Sequence, residues 1–139
     1  INKSAIASSL SAEIYGLEVI KKNIENETGN LTRFLVMGKN ISQPEFKDKT
    51  YITSFLFKLK SKPAALYQAL SGPSLNGVNL TKLQSYPVKN SFDSYFFLCD
   101  LDGHIEDPKV QKSLEELGLH CEDFHVLGVF EADNLRQKK

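Results

Sequence analysis

The strongest constraint on this chain is the order in which its hydrophobic periodicities change after residue 49. From Tyr51 to Leu59 apolar and polar residues alternate with period two, which predicts a half-buried strand. Pro63 suits the first turn of a helix, where a missing N–H costs nothing, and Ala65, Leu66, Ala69 and Leu70 form an apolar stripe after it. Gly72-Pro73 is expected to end or kink that helix early, because an interior proline costs about 3 kcal/mol. A second alternating run, 78–86, turns Val78, Leu80 and Leu83 inward, and Pro87-Val88-Lys89-Asn90-Ser91 reads as a loop. Residues 94–101 are apolar nearly throughout and predict a third strand. Asp107 and Pro108 then supply a cap and a first-turn proline, Val110, Leu114 and Leu117 follow at helical spacing, and Gly118 marks the expected C-cap. Residues 124–130 predict a fourth strand.

Strand, helix, strand, strand, helix, strand is the ferredoxin-like arrangement, an α+β fold with two helices on one face of an antiparallel sheet. Its open face and edge strands are surfaces that find partners. The material suffices: 139 residues bury roughly two-thirds of their unfolded surface, and 41% are hydrophobic, with nine Phe and five Tyr. Seventeen basic residues balance seventeen acidic ones, which argues against a nucleic-acid partner, whose phosphates need clustered positive charge. No apolar run approaches the roughly 20 residues that cross a bilayer, and Ile1-Asn2-Lys3-Ser4 does not open a signal peptide. Two cysteines, Cys99 and Cys121, are too few for a disulfide framework, so a cytoplasmic setting with free thiols is expected.

The first 38 residues are different. Leu10, Ile14 and Leu17 recur at helical spacing within 8–17, with Ser8 placed as an N-cap, and 31–37 reads as a buried strand in which Phe34 is most simply a core residue. One helix and one or two strands cannot close a core, so this segment is expected to lean on something absent. An opening Ile in place of Met points the same way. The expected organisation is therefore an N-terminal remnant, 1–38; a linker, 39–49, with Gly38, Pro44 and mixed charges; a ferredoxin-like domain, 50–131; and a charged tail, 132–139.

Two groups of motifs resemble one family. Ala5-Ile6-Ala7-Ser8, Tyr15-Gly16-Leu17 and Asn30-Leu31-Thr32-Arg33-Phe34 are similar to the end of the prephenate dehydratase catalytic domain, a periplasmic-binding-protein-like α/β unit. Lys62-Pro63-Ala64-Ala65-Leu66-Tyr67, Gly77-Val78-Asn79-Leu80-Thr81-Lys82 and Gln84-Ser85-Tyr86-Pro87 resemble the ACT domain fused to that enzyme, as do residues 102–108 and 126–129. The resemblance implies a parent enzyme that converts prephenate to phenylpyruvate, carbon dioxide and water without a cofactor. Hydroxide leaves poorly and must depart as water. The resemblance gives Thr32 the role of polarising that oxygen, and it places Arg33, Phe34 and Ser8 along the same cleft. Arg33 suits either the two carboxylates of prephenate or a structural ion pair. Most of the cleft would precede residue 1, so the isolated chain is expected to be inactive.

The resemblance also implies that L-phenylalanine binds as an effector between two ACT domains of a homodimer or tetramer. Pro63, Ala64, Ala65 and Leu66 would present the opening turn of a helix to its carboxylate. Asn79 and Leu80 would grip the amino group and wall the ring, with Gln84 and Ser85 nearby. Two departures from the family pattern bear on the ligand: Ala64 stands where many members have Gly, and Gln84 and Tyr86 replace a Glu and an Arg.

Other signals are weaker. His120, Cys121 and His125 do not complete a four-ligand metal set. His104, after Gly103, is expected to face solvent, and Glu115-Glu116 to lie on a solvated helix face. An ACT module without an enzyme has no use for Thr32-Arg33-Phe34, and an RNA-binding reading lacks the basic recognition motifs on its central strands.

Overall fold

A computed structural model describes residues 3–27, 32–39, 41–89, 91 and 94–133. The chain divides into two compact units, 1–38 and 39–139.

In the first unit, α1 (Ser9–Tyr15) has both ends satisfied. The Ser8 side chain accepts the Ser11 amide at 3.1 Å, and Gly16 takes the left-handed conformation that closes the other end. The strand expected over 31–37 does not form across the described residues 32–37, which are irregular and exposed. Phe34, expected in a core, is 86% exposed. A strand needs a neighbour to satisfy its backbone, and no strand is described in this unit.

The second unit holds β1 (Tyr51–Leu59), α2 (Ala65–Leu75), β2 (Leu80–Pro87), β3 (Tyr95–Asp102), α3 (Pro108–Gly118) and β4 (Cys121–Glu131). The sheet is antiparallel in the order β2-β3-β1-β4, which is the ferredoxin-like α+β topology. Both helices cover one face. Phe55, Phe57, Cys99 and Leu101 from the sheet meet Ala69, Val110, Leu114 and Leu117 from the helices. β1 is more deeply buried than its alternation predicts, because it is a central strand: Ile52 and Ser54 on its other face are buried too. Ser54 donates to Asp100 across β1 and β3, and Asp100 is itself buried.

The helix boundaries differ from expectation at the glycines and prolines. Pro63 lies one residue before the cap of α2, outside the helix, and Ala64 is the cap. Pro73 does not stop α2, which runs two residues further. It sits fully buried in the last turn, and its carbonyl accepts the Val78 amide at 2.9 Å. Packing outweighs its lost N–H. α3 begins as predicted, with Asp107 accepting the Lys109 amide at 2.9 Å, but its C-cap is Leu119, one residue past Gly118. A bulge between Leu80 and Lys82 explains how Leu80 and Leu83, three residues apart, share the helix-covered face of β2.

Candidate functional site

Of the four residues proposed for catalysis, Ser8 is engaged in capping α1 and also lies 2.9 Å from the Ser11 hydroxyl. Thr32, Arg33 and Phe34 follow one another in irregular, exposed backbone. No hydrogen bond joins Ser8 to any of the three among the described residues, and Asn30 and Leu31 of the same motif lie outside them.

The effector candidates of the second unit fall into two groups. β1 runs out to Leu59 and the chain turns into α2, which returns along the sheet for 11 residues, about 16 Å. Pro63, Ala64, Ala65 and Leu66 therefore stand at one end of the sheet. Asn79 and Leu80 stand at the other, where Leu80 pairs with Leu101 and Leu101 with Thr53 near the start of β1. Gln84 and Ser85 lie further along β2, opposite Leu98 and Phe97, toward the Pro63 end. Within one chain α2 and β2 hold the groups apart.

At the Pro63 end, Ala64 has φ 58° and makes no side-chain cap. Its left-handed backbone is the conformation that glycine adopts freely, so the sequence departure falls on a position where Cβ is disfavoured. The first-turn amides of α2 are left without a capping side chain and point outward with the positive end of the helix dipole. A cleft of about 230 Å³ beside this turn is lined by Lys60, Lys62, Tyr95 and Phe97, among others.

At the other end, the Asn79 side-chain amide donates to Asp102 Oδ2 at 3.0 Å, while the Asp102 amide donates to the Asn79 carbonyl at 2.9 Å. This reciprocal pair fixes the Asn79 side chain and sets a carboxylate beside its free oxygen, an acceptor set suited to an ammonium group. Asp102 was missed by the sequence reading. Its signal lay in the acidic end of an otherwise apolar strand, Cys99-Asp100-Leu101-Asp102.

Two other expectations are corrected here. His104 does not face solvent: it is 1% exposed, stacked on Phe46 with ring centroids 5.1 Å apart and edge-on to Tyr51 at 4.7 Å. Glu116, unlike Glu115, is not merely solvated, since it accepts the Asn76 side-chain amide at 2.8 Å and ties α3 to the end of α2. Among the described residues no group of three or more His, Cys, Asp or Glu could hold a metal ion, and no helix is long and apolar enough to cross a membrane.

The strand order of the second unit defines a ferredoxin-like α+β class, and comparison with known proteins shows what the chain is similar to. Residues 2–42 match the family model described as prephenate dehydratase. A bifunctional N-acyl-homoserine lactone acylase/prephenate dehydratase of Komagataeibacter europaeus is 39% identical over 134 residues, which is 96% of this chain and 48% of that protein. A bifunctional chorismate mutase/prephenate dehydratase of Aquifex aeolicus is 41% identical over 126 residues, 91% of this chain and 34% of that one. Among solved structures, a quorum quenching acylase matches with a TM-score of 0.79 at 33% identity, covering 94% of this chain and 47% of its own. Prephenate dehydratase from Arthrobacter aurescens, in complex with L-Phe, matches with a TM-score of 0.59 at 28% identity, covering 68% of this chain and 31% of its own. Over more than nine-tenths of its length the chain is similar to part of proteins named as prephenate dehydratases. It spans between a third and a half of the length of these relatives.

Proposed function

We propose that this chain is the regulatory portion of a prephenate dehydratase, in which 50–131 form an ACT domain that binds L-phenylalanine between two copies and 1–38 contribute one wall of the catalytic cleft. The observation that carries this reading is the separation of the effector candidates to opposite ends of one exposed edge. β2 ends the sheet, and most of its residues are exposed. Beside it Tyr67 and Leu75 on α2 are 79% and 81% exposed. If two copies meet along β2 in antiparallel fashion, a two-fold axis brings the Pro63–Leu66 turn of each beside Asn79 and Leu80 of the other. Each seam then offers helix N–H groups for a carboxylate, the Asn79–Asp102 pair for an ammonium, and apolar side chains for a ring. The Arthrobacter relative holds L-Phe, which supports the choice of ligand.

On the catalytic side, a hydroxyl at Thr32 would orient the departing oxygen of prephenate and Arg33 would meet a carboxylate. The exposure of Thr32, Arg33 and Phe34 accords with a cleft whose other parts lie elsewhere in the whole protein. The parent enzyme works in the cytoplasm as a homodimer or tetramer, and this chain alone has no dehydratase activity. Thr32-Arg33-Phe34 favours this over an amino-acid-binding module that never had a catalytic partner.

Calorimetric titration with L-phenylalanine, with L-tyrosine and L-tryptophan as controls, tests the sensing role. Saturable L-phenylalanine binding at one site per chain, accompanied by dimerisation in sedimentation velocity, is expected. Binding of none of the three would remove the sensing reading.

A further inference from the structure

Early in the second unit the chain does not run free into β1. Residues 44–47 are fastened to the rest of that unit by contacts that lie outside its main apolar cluster. The Tyr51 hydroxyl donates to the Glu45 carbonyl at 2.8 Å and accepts the Lys47 amide at 3.1 Å. Phe46 stacks on His104 with an interplanar angle of 13°. The Pro44 carbonyl can only accept, so the 2.9 Å contact with His104 Nε2 makes that nitrogen the donor. Nδ1 accepts the Glu106 amide at 3.1 Å. Both bonds are made by one neutral tautomer, so the imidazole bridges the strap to the turn that leads into α3.

That turn begins at Asp102. The Gly103 amide donates to the Tyr51 carbonyl and its carbonyl accepts from the Thr53 hydroxyl, each at 2.8 Å. Gly103 has φ 133°, and a Cβ there would stand 2.6 Å from Val110. The stretch from Asn79 through Asp102 and Gly103 to His104 is thus a continuous run of hydrogen bonds and stiff backbone. It ends on a strap that is itself largely exposed, with Phe46 47% exposed. Such a segment can lift without opening the sheet, because its neighbours Tyr51 and His104 are not part of the main apolar cluster.

We infer that 44–47 form a two-position strap with His104 as its clasp, through which ligand bound at Asn79 and Asp102 changes the hold on the chain leading from the first unit. The docked position fixes the entry to β1; the released one leaves 44–47 unheld. The inference rests on the amino-acid-sensing reading, and its physical content is a coupling between ligand and strap, which must be reciprocal.

Two measurements on the whole chain test it. Phe46→Ala and Tyr51→Phe each remove a strap contact without touching Asn79 or Asp102. Both are expected to speed hydrogen exchange at the Lys47 amide about tenfold while amides of β1 and β3 stay protected. Both are also expected to shift the L-phenylalanine Kd by about fivefold, with L-phenylalanine changing Lys47 exchange in the unsubstituted chain by a matching factor. If L-phenylalanine binds all three proteins equally although the strap is released, the coupling is refuted and the sensing reading stands. Exchange at Lys47 no faster than in the sheet would refute the independent strap. A chain that binds no L-phenylalanine loses both readings together.

Discussion

Gly72 of α2 lies against the Ser113 carbonyl of α3 so closely that a Cβ at Gly72 would stand 2.9 Å from it and 3.0 Å from the Glu116 Cβ. The first obstacle is backbone, which cannot swing aside, so the two helices would have to separate. Gly72→Ala is therefore expected to lower stability by about 1–3 kcal/mol. In urea titrations the midpoint should fall while the slope stays constant; an unchanged midpoint would mean the helices can part at no cost.

Ala64 presents the opposite case, a side chain where the backbone favours none. Its φ of 58° costs a residue bearing Cβ about 1 kcal/mol or more, part of which glycine returns through its freer unfolded chain. Ala64→Gly should stabilise the protein by up to about 1 kcal/mol. A drop in melting temperature would contradict the strain assigned to this turn.

Burial pushes the Cys99 thiol up to about 12, with the neighbouring Asp100 carboxylate adding to the effect, and burial raises Cys121 to about 11 although Lys60 opposes it. Both folded values lie above the unfolded thiol value near 9, so the folded state holds its protons longer. The contribution is whole below about pH 9 and is lost as pH climbs toward 11 and 12, at up to about 1.4 kcal/mol per pH unit per thiol. The expected readout is a steeper alkaline loss of stability in the unsubstituted chain than in Cys99→Ala. Parallel curves above pH 9 would dismiss Cys99 as a source of the slope.

Asp107→Ala removes the acceptor of the Lys109 amide and should cost about 1 kcal/mol, with Asp107→Asn or Asp107→Ser recovering most of it. Thermal unfolding of the three variants distinguishes a lost cap from a general effect of charge.

Asn79→Ala is the substitution closest to the proposed function. Losing both its grip on Asp102 and its own oxygen should weaken L-phenylalanine binding by about 1–3 kcal/mol. An unaltered affinity by calorimetry would clear Asn79 of contact with the ligand.

The parts of the fold legible from sequence were those governed by local chemistry. Asp107-Pro108 announced the start of α3, and the run from Tyr51 to Leu59 matched β1 residue for residue. What stayed hidden depended on distant neighbours. Pro73 looked like a stop until packing held it inside the last turn of α2. His104 follows a glycine in a turn, which reads as surface, and nothing nearby in sequence reveals that Phe46 and Tyr51 close over it. The run 31–37 reads as a buried strand, yet no strand is described over 32–37 or elsewhere among the described residues of the first unit. For the candidate effector residues, the local turn at Ala64 was readable, whereas their division between two ends of the sheet became visible only with the register of β2.

The two margins of the sheet are unequal, and this bears on how far association can go. β4 carries Glu122, Asp123, His125 and Glu131, and its pairing with β1 is interrupted by two irregularities; Lys82 is the sole charged side chain along β2. Charges and kinks discourage the docking of another strand. In the proposed dimer, β2 would be used up by pairing and the guarded β4 would give a third molecule nowhere to continue the ribbon, so pairing along β2 would not seed a fibril.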